Sequence, residues 1–226
     1  MNMMMPRVPE PERMTEEEEF FYAKADYSIP HEALAREIYA TVGAGPKWAI
    51  DLGCGPGDVL LRLRKLAPDW VLVGADISPR MLSLASQDES ERLLAHETAI
   101  NWVLINGRKS AFPDATFDVI MSNSVLHHVA NPVHFWAEIG KLSKHGTHVF
   151  VRDLRRPASE LEAKAIIERN IPNEYEVVKT HYFSSLLSSY TRSEVEDQLR
   201  EAKVFGLSVV EIEDRYLSVQ GAVEKK

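Results

Sequence analysis

Between residues 48 and 154 the chain alternates short apolar runs with amphipathic stretches. "KWAID" at 47–51, "WVLVGAD" at 70–76, "AINWVLIN" at 99–106, "TFDVIMSNS" at 116–124 and "THVFVRDL" at 147–154 read as strands. Between them, Leu60, Leu63 and Leu66 mark one helical face, and Phe135, Trp136, Ile139 and Leu142 mark another. Ser78–Pro79 and Asn131–Pro132 each pair an N-cap with a proline at the first helical position. Strands that are near-continuous apolar runs, separated by helices, predict a parallel sheet covered on both faces. "GLSVVEIED" and "RYLSVQ" lie a turn apart near the end and predict an antiparallel hairpin at the sheet edge. The fold class expected is α/β: a Rossmann-like, doubly wound, mostly parallel seven-stranded sheet with that C-terminal hairpin.

The flanks follow other patterns. Thr15 with Glu18, Ser159 with Glu162 and Thr191 with Glu194 have capping-box spacing and predict helix starts. Leu34, Ile38 and Val42 recur at i, i+4, i+8 and predict a further helix. The stretch 179–190, "KTHYFSSLLSSY", has no clear period and stays open between helix and loop. Residues 1–14, rich in Met and Pro, read as an extended arm.

Composition narrows the function. A formal charge of −8 argues against a broad nucleic-acid footprint, which needs clustered Lys and Arg. With one cysteine, Cys54, no internal disulfide can form, and a reducing cytoplasm is expected. Cys54 lies inside a glycine turn and reads as a small packing residue. No run approaches the roughly 18 apolar residues of a membrane span, and the N-terminus has no secretory apolar region.

The turn after the first strand, "DLGCGPGD", carries the chemistry. Dinucleotide sites use G-x-G-x-x-G, but here Gly53, Gly55 and Gly57 alternate, and Asp58 stands where the third spaced glycine would be. Asp51 and Asp58 bracket the turn, a poor setting for a pyrophosphate, and no GK[ST] follows. Asp76 ends the second strand, 19 residues after Gly57, where a carboxylate can hold a ribose diol. These features predict a phosphate-free nucleoside bearing an amino acid or a cation.

"AIDLGCGPGD", "VGADISPRML", "INGRKSAFPDATFDVIMSNSVLHHV" and "THVFVRDLRRP" together resemble class I S-adenosylmethionine-dependent methyltransferases of the small type-11-like kind, over roughly residues 45–157. The resemblance implies S-adenosyl-L-methionine as cofactor, with S-adenosyl-L-homocysteine as product. It implies that Asp51 and Gly53 lie by the amino-acid moiety, that Gly55 and Gly57 admit the cofactor, and that Asp76 holds the ribose. Ile77 and Met81 would flank the adenine. Asn106 would contact the adenine amino group, with Gly107 following it, and Asn123 would stand where the methyl group emerges. It implies a methyltransferase domain over 45–226 with an acceptor-site insertion around 155–190. Residues 1–44 would cover the active site.

The acceptor side is read from fewer signals. Ser122-Asn123-Ser124-Val125 lacks the prolines and aromatic residue of several enzymes that methylate planar amines, which argues against adenine-N6 or glutamine methylation, and the following Leu126-His127-His128 resembles the small-molecule branch. The alternatives are a tRNA or protein methyltransferase, and a non-methylating protein that binds the same cofactor. Arg152, Asp153, Arg155 and Arg156 crowd a strand end and suit either an anionic acceptor or internal ion pairs. Tyr22, Tyr27 and Tyr182 either cover the acceptor or pack. If a general base is needed, His127, His128 and His181 are the candidates, against a packing role for each. No metal is expected, because adjacent helical histidines point about 100° apart. A monomer or homodimer that touches neither nucleic acid nor membrane completes the expectation.

Overall fold

The computed structural model describes residues 6–93, 98–105 and 112–225. Two helices, α1 (Glu16–Lys24) and α2 (Ser28–Val42), precede the alternating unit. There follow β1 (Trp48–Leu52), α3 (Asp58–Leu66), β2 (Val71–Asp76), α4 (Pro79–Arg92), β3 (Asn101–Leu104), β4 (Phe117–Asn123), α5 (Pro132–Leu142) and β5 (Ser143–Leu154). The last part holds α6 (Glu160–Asn170), α7 (Glu176–Ser188), α8 (Arg192–Glu201), β6 (Phe205–Ile212) and β7 (Tyr216–Glu224). One seven-stranded sheet has the order β3-β2-β1-β4-β5-β7-β6. β1 to β5 pair in parallel, and β7 is antiparallel to both β5 and β6. The expected Rossmann-like sheet is therefore present, and the second strand of its hairpin, not the first, is the one that joins the parallel body. Strand order reverses between β1 and β4, and the crevice at such a reversal is where open α/β sheets bind ligands.

Period-two alternation divides the core. Ile50, Leu52, Ile120, Val149 and Val151 face α5 and α8, packing with Trp136, Ile139 and Leu199. Ala49, Val119, Met121 and Phe150 face the other way, against Leu34, Ile38, Leu60 and Leu63 of α2 and α3. The helix starts are as the caps predict. Ser78 accepts from the Met81 N–H and Asn131 from the His134 N–H, and both Thr15–Glu18 and Thr191–Glu194 close reciprocal boxes. The Ser159 box is only half made. Its hydroxyl accepts from the Glu162 N–H, but the Glu162 carboxylate turns to the Ala158 N–H at 2.7 Å.

The open stretch 179–190 is mostly helix, within α7. Serine is a weak helix former because its hydroxyl competes for the backbone. Here those hydroxyls divide between backbone carbonyls and the arm. Ser189 Oγ donates to the Ser185 carbonyl at 2.6 Å, and Ser185 and Ser188 both reach Glu10. The arm itself lies along α7, with the Val8 N–H on the Leu187 carbonyl and Arg7 held by the Ser188 and His127 carbonyls. Among the described residues no helix is long and apolar enough to cross a membrane.

Trp136 is wholly buried and its Nε1 donates to Gln198 at 3.0 Å, tying α5 to α8. Trp136→Ala is expected to cost about 3–5 kcal/mol, read as a lowered urea midpoint.

Candidate active site

The loop after β1 folds back on β2. The N–H groups of Gly53 and Cys54 both donate to the Ala75 carbonyl, at 2.7 and 3.2 Å. Gly53 has φ +76°, and a Cβ there would lie 2.4 Å from Val125 Cγ2. Gly57 caps α3 with φ +80°, and a Cβ there would meet Trp102 at 2.4 Å. Gly57 is thus bare because the indole packs on it, which refines its expected role of admitting a ligand. Gly55 instead faces Tyr22, and its N–H donates to Asp76 Oδ2 at 2.8 Å.

Asp51 is 2% exposed, and its Oδ1 has no hydrogen-bond partner. Burial, reinforced by the nearby Asp76, pushes its carboxyl up to about 8. Asp76 is raised too, by burial, against the backbone N–H groups of Ser78 and Gly55 that favour its charge. The two strand ends therefore present carboxyl groups that, among the described residues, have no side-chain cation paired to them.

Asp58 differs. Burial opposes its charge, but His31, Arg62 and Arg92 hydrogen-bond to it at 3.0, 2.8 and 2.7 Å and hold its carboxyl far below the usual range. The expectation that acids bracketing the turn would repel a pyrophosphate is corrected on this side, since Asp58 is already neutralised. His31 also places Nε2 at 3.3 Å from Asn123 Nδ2. With the Asn123 amide donating, the remaining imidazole proton sits on Nδ1, facing Asp58.

A cleft of about 270 Å³ opens here, lined among others by Tyr22, His31, Asp51, Gly53, Pro56 and Asn123. α1 and α2 close it from above. The Tyr22 and Tyr27 rings are 5.1 Å apart, and Tyr27 and His31 are 5.4 Å apart. Burial raises the Tyr27 phenol to about 12 and raises that of Tyr22 as well. Glu19 of α1 accepts from Ser78 Oγ at 2.6 Å, beside Asp76. Met81 is fully buried and Ile77 partly so, both next to this contact. Asn106 and Gly107 lie outside the described residues.

The expected acceptor residues divide. Tyr22 lines the cleft, and Tyr27 lines the opening that continues from it. The arginines are not open forks. Arg152 pairs with Glu37, Arg155 with Glu162 at 3.1 Å, and Arg156 with Glu194 at 2.6 Å and the Ser189 carbonyl. These contacts tie β5 to α2, α6 and α8, so the expected anionic anchor is corrected to internal ion pairing. Asp153 is buried against His127, with Oδ1 to Nδ1 at 2.6 Å. Burial disfavours charge on both, yet their pairing raises the His127 pKa and lowers that of Asp153. Tyr182 packs with Leu154 and Tyr216 in the cluster under α6 and α7. His128 meets the arm at Pro11 and Glu10, and His181 pairs with Glu18 at 3.1 Å. None of the three candidate catalytic histidines is among the cleft-lining residues. His31 is, and the sequence reading missed it. Its signal was its place three residues before Leu34 on the buried face of α2.

The residues fit the implied cofactor. Its ammonium group answers the unpaired Asp51 oxygen, its ribose diol suits Asp76, and Gly55 presents bare backbone to the cleft.

Residues 50–151 match the family model of a methyltransferase domain. An uncharacterized methyltransferase of Schizosaccharomyces pombe is 30% identical over 112 residues, 46% of this chain and 38% of its own length. A demethylmenaquinone methyltransferase of Deinococcus radiodurans is 28% identical over 51% of this chain and 46% of its own. The chain thus spans less than half the length of these curated relatives. Among solved structures, an Aquifex aeolicus SAM-dependent methyltransferase superposes with TM-score 0.68 at 16% identity, covering 93% of this chain and 100% of that one. The plantazolicin methyltransferase BpumL, solved with a desmethyl analog and S-adenosylhomocysteine, gives TM-score 0.68 at 14% identity over 87% and 84%. Both share the fold.

Because the Asp51 pKa is raised on folding, the native chain holds this proton between about pH 4 and about pH 8 while the unfolded chain does not. Its contribution to stability is full below about pH 4 and falls as pH rises toward about 8. Asp51→Asn should flatten that decline, so urea midpoints of variant and parent should diverge in the variant's favour as pH rises. Arg156→Ala should cost about 2 kcal/mol of stability and leave nucleoside binding unchanged.

Proposed function

The chain carries a class I methyltransferase domain, and we propose that it transfers a methyl group from S-adenosyl-L-methionine to a small-molecule acceptor. The buried, unpaired Asp51 carboxylate at the sheet's reversal point carries this reading. Among the described residues no side-chain cation pairs with it, so a ligand that brings an ammonium group and a nucleoside, and no phosphate, is the fitting occupant.

When bound, the cofactor supplies a methyl group on a sulfonium, ready for in-line displacement. The chain's residues do the rest. Asp51 gives up its proton and pairs with the incoming ammonium. Asp76 exchanges backbone partners for the ribose hydroxyls. Tyr22 and Tyr27 keep water from the cleft and offer aromatic faces beside a cation. Asn123 and Asp58 orient His31 at the cleft wall, where an acceptor would have to displace the Asn123 amide to reach Nε2. His31 is our candidate for receiving a proton from the acceptor, in place of His127, His128 and His181. Orientation within the closed cleft supplies the larger share of the rate.

We also propose that residues 1–44 are the cover of this site, and that 155–190 forms the rest of the acceptor wall. Support comes from the Glu19–Ser78 contact, the lining tyrosines and the arm seated on α7. The net charge of −8 favours a small acceptor over tRNA. The single, buried Cys54 suits a cytoplasmic setting.

Calorimetry with S-adenosylmethionine and S-adenosylhomocysteine tests the reading, followed by transfer of labelled methyl to a pool of small metabolites. Saturable binding with transfer is expected. Binding without transfer to any pool would leave a non-methylating binder, and binding of neither would defeat the proposal. Near pH 7, binding should release the Asp51 proton, so the measured heat should depend on the buffer's ionisation enthalpy. That dependence should fade above about pH 9 and be absent in Asp51→Asn, which should also bind more weakly.

A further inference from the structure

Away from the cleft, but on the same edge of the sheet, a second cluster joins the N-terminal arm to the short 3-10 turn Leu126–His128. His127 and His128 do not diverge as adjacent helical residues would. Their ring centroids stand 4.1 Å apart with planes at 39°. Glu10 completes the group, and one ligand atom from each of the three lies within 4.8 Å of the others. His128 Nδ1 is already 3.5 Å from Glu10 Oε2. Tetrahedral ligands around an ion bound at about 2.0–2.1 Å are separated by about 3.4 Å, so a small shift of the arm brings the set to coordination distance.

We propose that Glu10, His127 and His128 form a binding site for a divalent transition-metal ion of the zinc, cobalt or iron(II) type. Two imidazoles and one carboxylate are the donor set such ions favour. Asp153 supports the assignment independently. It holds His127 Nδ1 at 2.6 Å and accepts the His127 backbone N–H at 3.3 Å, which leaves Nε2 as that ring's ligand atom. A buried carboxylate behind a histidine fixes the ring and raises its basicity, as metal-ligating histidines require. Glu10 is itself steadied by Ser185 and Ser188, each 3.2–3.3 Å away. Its side chain is 16% exposed and that of His128 is 23%, so an ion can enter from solvent. The cation would take the place of the Nδ1 proton that His128 shares between Glu10 and the Pro11 carbonyl, leaving that ring protonated on Nε2. Three protein ligands leave a position open for an oxygen of water or of a second molecule.

The full chain, free of any histidine tag and stripped with a chelator, should bind one zinc ion saturably by calorimetry. Cobalt(II) should give the visible absorption of a low-coordinate site and be displaced by zinc. Glu10→Gln and His128→Gln should each weaken zinc binding at least tenfold, and His134→Gln, an exposed neighbour, should leave it unchanged. Far-UV circular dichroism of the metal-free variants checks that each is folded, and should either histidine variant unfold, Glu10→Gln decides. Absence of saturable zinc binding by the parent chain, or equal binding by Glu10→Gln, would overturn the site and leave the cluster as a proton-held clasp for the arm. Neither result depends on methyl transfer, so the site and the proposed activity stand or fall separately.

Discussion

Asp51 is a carboxyl group taken out of water, with no counter-charge among the described residues, at the point where the sheet reverses its strand order. Stranding a charge in this way costs several kcal/mol, so the group keeps its proton instead. Everything around it is arranged to keep that situation. β1 is central and buried, α1 and α2 roof the strand end, and the glycine loop is pinned to β2 through the Ala75 carbonyl. A carboxyl group held this way is neutral while unpaired, and under the proposed function its charging is what couples cofactor binding to proton release.

Asp58 and the arginines after β5 follow the opposite rule, because each is spent on a charged neighbour. Asp58 gathers three cationic or imidazole partners and thereby joins α2, α3 and α4. Arg152, Arg155 and Arg156 splay from the end of β5 to three different helices. Paired charges position the walls and the unpaired one marks where the ligand goes. A cluster of arginines in sequence says nothing about which case applies, since the deciding glutamates lie at positions as distant as Glu37 and Glu194.

The sheet and its helices were legible because each is written in local spacing. Period-two alternation placed Ile50 and Leu52 on one face and Ala49 on the other, and Asp51, Gly55 and Asp76 each end or follow an apolar run. The acceptor side was not legible. His31 precedes the glycine turn by some twenty residues and enters the cleft only because α2 packs on α3. The serine-rich helix α7 depends on Glu10, 175 residues away from Ser185.

The chain's own spacing thus determined the fold class and the strand and helix order, since hydrophobic period, caps and glycine turns act within a few residues. Only the tertiary structure decided which charges remain unpaired and which histidine faces the cleft. It alone brought Glu10 beside His127 and His128. Those outcomes depend on which distant segments meet at the ends of the strands, and burial there determines whether a polar group is paired or left for a ligand.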